Sequence, residues 1–193
     1  DSPRRTPKDL EEYPAFSKRA SSSGGVPTYS RPQCVGPISV KDLKPLEVDL
    51  QNFKDALSAS ESTDAFMNAA SPGVIAQFQP NQHYPDHSSY LYALADAMKV
   101  EYEGIAEAGL VIQIDSPDLA LGRHVLFKDQ SDEEFVAMAE LHIEALNHAL
   151  QNIPAEQLRL HVCWGNYQGP HHCDIEMKKI LPAVLKAKPM ALS

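Results

Sequence analysis

The chain has 193 residues, 43 % hydrophobic and 22 % charged, with 26 acidic against 17 basic side chains and a formal net charge of −9. That length supports one domain with a real core, and the acidic balance argues against nucleic acid as partner, because phosphate backbones need basic patches. No apolar run is long enough to span a bilayer, residues 1–13 lack a signal-peptide pattern, and three scattered cysteines make no disulfide framework. No membrane partner is expected, and the setting is reducing and cytoplasmic.

Residues 1–30 read as an irregular arm rich in Pro, Ser and Arg, with SSSGG at 21–25 and room for a short helix over 7–13. Arg4, Arg5 and Arg31 either hold an anionic substrate group or are solvated. VGPISV at 35–40 reads as the first strand, and Leu46, Leu50, Phe53 and Leu57 recur at helical spacing over 45–59, the pattern of a core-facing helix. AFMNAA at 65–70 reads as a second strand, ending at Ser71-Pro72-Gly73 in a loop able to line a pocket. NQHYPDHS at 81–88 is a long connecting loop, where His83 and Tyr84 are either substrate contacts or ordinary loop packing.

Ser88 or Ser89 is expected to cap a helix through residue 108, with Gly109 closing it. LVIQID at 110–115 is the next strand, and its last residue, Asp115, stands at a carboxyl end. A helix over 131–153 opens on an S-x-x-E capping box, Ser131 with Glu134; His142 and His148 on it read as structural or solvated. LRLHVC at 158–163 is the fourth strand, a helix containing Pro182 follows over 174–186, and residues 189–192 start a fifth strand.

His161 and Cys163 are two residues apart, so on a strand they share one face. Imidazole and thiol are zinc donors; the alternative is a satisfied core histidine beside an inert cysteine. Strand and helix alternate from residue 35 onward, which implies a mostly parallel α/β sheet. The element lengths suit a (β/α)8 TIM barrel, yet about five strands are visible where eight and about 250 residues are needed. Residues 31–193 are therefore expected to be a partial barrel, completed by more of the same chain or by a partner.

GLVIQIDSPDLA, EALNHAL, LHVCWGN followed by GPHHCDI, and AASPGVIA with NQHYP together resemble the catalytic domain of cobalamin-independent methionine synthase, closest to its short single-domain relatives. The resemblance covers roughly residues 30–193. It implies a (β/α)8 barrel with a thiol-activating zinc ion and no cobalamin, moving a methyl group from a folate or another methylated small molecule to a homocysteine-like thiol. His161 and Cys163 match the family's first two zinc ligands. The family's Glu and second Cys would fall beyond Ser193, and His171, His172 and Cys173 are nearby substitutes; otherwise Cys173 and Asp174 cap a helix. Asp115 matches the carboxylate that binds the substrate's amino group, and Ser71 would touch the substrate carboxylate. The partners implied are a small-molecule thiol and a methyl donor, with a second copy or the remainder of a longer chain. The rival readings are a related thiol or alkyl transferase or lyase on the same fold, and a non-catalytic fragment or subunit.

Overall fold

A computed structural model describes residues 7–22, 32–125, 127–165 and 169–193. Four strands form one parallel sheet in chain order: β1 Phe66–Ala70, β2 Val111–Asp115, β3 Leu158–His161 and β4 Ala191–Leu192. Helices α1 Lys8–Glu12, α2 Pro14–Ser22 and α3 Lys44–Ser58 precede β1. Between β1 and β2 lie α4 Pro72–Phe78 and α5 His87–Glu107; between β2 and β3, α6 Gly122–Val125 and α7 Asp132–Ala149; between β3 and β4, α8 Met177–Val184.

Alternation along the strands sorts the two faces of the sheet. Ala69, Ile112, Ile114, Leu158 and Leu160 are buried and join Tyr90, Leu91, Tyr102, Phe135, Leu146 and Ile180 of α5, α7 and α8 in one apolar core. The opposite face carries Phe66 and Asn68 of β1, Gln113 and Asp115 of β2, and Arg159 and His161 of β3, all half-buried or exposed. Gln113 donates to Asn68 across this face (2.8 Å), and the Arg159 guanidinium stacks over the Phe66 ring at 4.0 Å. No helix among the described residues is long and apolar enough to cross a membrane.

Several local expectations give way to short-range chemistry. Residues 35–40 form no strand: Gly36 and Pro37 interrupt the run, Pro offers no ladder N–H, and only Cys34 bridges, to Asn81. Ser71-Pro72-Gly73 opens α4 instead of a loop, because Ser71 caps it through Val74 N (3.0 Å) and Pro72 is pre-set for the first helical position. The α5 cap is Asp86, which accepts from Ser89 N, and neither Ser88 nor Ser89 fills that role. The α3 stripe of Leu46, Leu50, Phe53 and Leu57 is only half-buried, since α3 lies outside the core helices. Helix α8 starts at Met177 with Glu176 at its cap position, so Cys173 and Asp174 stand before it. The Ser131–Glu134 capping box of α7 is present with both reciprocal bonds, and Gly109 takes a left-handed φ of 82° where α5 ends.

Candidate functional site

Parallel register brings Ala70, Asp115 and His161 side by side at the carboxyl edge of the sheet. Backbone bonds tie the next residues across the same edge: Ser71 N to Asp115 O (3.0 Å), Ser116 N to His161 O (2.9 Å) and Leu121 N to Cys163 O (3.2 Å). The sequence-derived Asp115, His161, Cys163 and Ser71 thus stand at or just past one rim.

Asp115 and His161 are partly exposed, with Asp115 Oδ1 3.9 Å from His161 Nε2, longer than a hydrogen bond. Partial burial raises the Asp115 pKa; the His161 ring opposes that shift and the Asp118 carboxylate adds to it. His161 Nδ1 lies 3.2 Å from Ser193 O, and a carbonyl only accepts, so Nδ1 carries a proton. Cys163 is half-buried, and its Sγ accepts from Gly165 N at 3.2 Å. β3 ends at His161, so Cys163 lies two residues past the strand, and among the described residues neither belongs to a group of three metal-type donors within 4.8 Å of one another. His171 pairs with Asp174 (2.9 Å) and His172 with Glu12 (2.6 Å), so these two rings and Cys173 are engaged at α1 and the 171–174 loop.

His83 and Tyr84 occupy the loop between α4 and α5. Asn81 Oδ1 accepts from both of their backbone N–H groups, and the Tyr84 hydroxyl accepts from Ile38 N (2.8 Å) while its ring packs on Tyr90. Arg4, Arg5 and Arg31 lie outside the described residues.

Ser71 proves to belong to a buried polar chain that sequence reasoning did not assemble. Its hydroxyl donates to Asp118 Oδ1 (2.7 Å) while accepting from Val74 N; Asp118 Oδ2 pairs with His142 Nδ1 (2.8 Å); His142 Nε2 meets His87 Nε2 (2.9 Å). A carboxylate accepts, so His142 donates its Nδ1–H to Asp118, and of the two facing Nε2 atoms one donates to the other. The signal available in the sequence was His142 on the otherwise apolar stripe of α7, which demanded a polar partner inside. Burial above all, with His142 next, lowers the His87 pKa from its ordinary 6.5 to about 4; Asp118 and Asp86 oppose this. The folded state therefore holds His87 neutral where the unfolded chain is already protonated. Stability should fall as pH drops from about 6.5 towards about 4. Urea midpoints measured across that window should fall less steeply in His87→Gln; an unchanged slope would exclude His87 as the titrating group.

No family model matches the chain. It is 29 % identical over 159 residues to a methionine synthase of Saccharolobus solfataricus, covering 81 % of this chain and 42 % of that protein. It is 28 % identical over 144 residues to one of Sulfurisphaera tokodaii, covering 74 % and 37 %. A third, from Saccharolobus islandicus, is 30 % identical over 116 residues, covering 60 % and 31 %. By sequence, then, the chain is a relative of proteins named methionine synthase, similar to them over most of its own length and over less than half of theirs.

Proposed function

We propose that the chain forms part of a zinc-dependent, cobalamin-independent methyltransferase that moves a methyl group to a homocysteine-like thiol in the cytoplasm. The observation that carries this is the rim itself: Asp115 and His161 are register partners at the carboxyl edge, with Cys163 two residues on, in a chain similar to methionine synthases. Strand order supports residues 31–193 as an arc of a (β/α)8 barrel, with residues 1–30 as an arm. A doubly wound sheet reverses its order and carries helices on both faces, whereas here four parallel strands follow chain order with core helices on one.

The donor chemistry of the pair fits zinc. His161 has one ring nitrogen held by a backbone carbonyl, the usual second-sphere arrangement of a ligating histidine, and Cys163 supplies sulfur. His161 and Cys163 would hold the ion, which when bound supplies charge that keeps a substrate thiol deprotonated near neutral pH. Asp115 offers a carboxylate for the substrate's ammonium group. Ser71 already uses its hydroxyl on Asp118 and Val74, so its part is to fix the rim's neighbouring turn. The exposed His83 ring and Tyr84 are outer substrate contacts, and the methyl donor is of the folate type. The remaining ligands and the facing half of the pocket belong to the barrel's other strands.

Asp115→Asn in the full-length protein should raise the KM for homocysteine by about 10- to 100-fold, the worth of a charge-assisted bond, and leave zinc stoichiometry unchanged. Because burial raises the carboxylate's pKa, binding should weaken on acidification at a higher pH than an ordinary aspartate would give. An unchanged KM would remove Asp115 from substrate binding. Comparing homocysteine with other thiols identifies the acceptor.

A further inference from the structure

A second cluster of metal-type donors lies where the arm meets the loop before α8. Asp9 of α1 is fully buried, and its carboxylate, the His172 ring and the Cys173 sulfur offer atoms all within 4.8 Å of one another. Two of the separations are informative. His172 Nδ1 is 3.7 Å from Asp9 Oδ1, and the buried His124 Nε2 is 3.7 Å from Asp9 Oδ2. That is long for a hydrogen bond. It matches the edge of a tetrahedron around zinc, roughly 3.3–3.7 Å for bonds of about 2.0–2.3 Å.

The surroundings carry the outer contacts that a metal-bound histidine uses. His172 Nε2 sits 2.6 Å from Glu12 Oε2, and Glu12 follows Asp9 by three residues, on the same face of α1. His124 Nδ1 is 3.2 Å from Asp174 Oδ1, while Asp174 Oδ2 holds His171. Each ring thus has one nitrogen towards Asp9 and the other towards a different carboxylate.

We propose that Asp9, His172 and Cys173 form a divalent metal site, separate from His161 and Cys163, that clips α1 to the 171–174 loop. Mixed carboxylate, imidazole and thiolate donors select zinc or a similar late transition ion over magnesium or calcium. His124 stands on the far side of the shared carboxylate and orients it. The role is structural: binding energy is gained only when α1 is docked, so the ion stabilises that docked state.

Residue-resolved alkylation of the full-length protein tests this without any assay of activity. Iodoacetamide labelling of Cys34, Cys163 and Cys173 is followed by mass spectrometry with and without saturating zinc. Cys173 should react about 10-fold or more slowly with zinc, since a metal-bound thiolate is withheld. That protection should persist in His161→Ala and vanish in His172→Ala, while Cys163 protection follows the opposite pattern. Glu12→Gln should weaken the zinc dependence by about 10-fold. Equal Cys173 rates with and without zinc overturn the proposal. Protection of Cys173 that survives His172→Ala overturns it as well. Failure at Cys163 alone leaves this site standing, so the two readings fail separately.

Discussion

Cys163→Ser in the full-length protein should cut methyl transfer by more than about 100-fold, beyond the usual loss on removing an outer partner of a metal. A serine hydroxyl remains protonated near neutral pH and is a poor zinc ligand, so the ion should be lost with the sulfur. The fold should survive, because Cys163 is half-buried at the rim and outside the apolar core. His161→Ala should give the same phenotype, and a double substitution should cost little more than either alone, as expected of two groups acting as one unit. Zinc content and initial rates measured together decide it. A Cys163→Ser protein with unchanged zinc and a rate within about threefold of the original would end the metal reading of this pair.

Gly73→Ala should be the most damaging small substitution for stability. A Cβ at that position would lie 2.0 Å from Asp118 Oδ2 and 2.5 Å from His142 Nδ1. Neither atom can retreat cheaply: Asp118 is held between Ser71 and His142, and His142 between Asp118 and His87. Overpacking alone costs about 1–3 kcal/mol, and stretching the buried hydrogen bond between Asp118 and His142 adds to it. A loss of about 3 kcal/mol or more, or roughly 6–12 °C in Tm for a chain of this size, is expected by calorimetry. Gly36→Ala is the control, because a Cβ there meets nothing within 4 Å. A Gly73→Ala protein melting within about 2 °C of the original would contradict the tight packing seen here.

Much of this was legible in the chain because short-range rules agreed with one another. The S-x-x-E box of α7, the glycine after α5 and the alternation of β2 each met a tertiary setting that wanted the same thing. The Asp115–His161 row followed from reading both as strand-end residues. What stayed hidden needed partners distant in sequence. Asp118, His142 and His87 come from separate elements, and nothing in their spacing announces that they touch. Residues 35–40 misled through apolar composition, where a Gly-Pro pair outweighed β propensity. The docking of α1 was equally out of reach, since Asp9 and Cys173 lie at opposite ends of the chain.

The three backbone bonds that join residues 71 to 115, 116 to 161 and 121 to 163 carry pairing past the last strand residues. Amides that would otherwise face solvent are fastened to the neighbouring connection, so the mouth inherits the stiffness of the sheet below. A molecule arriving there meets a preset shape. Little configurational freedom of the protein would be surrendered when a molecule binds there.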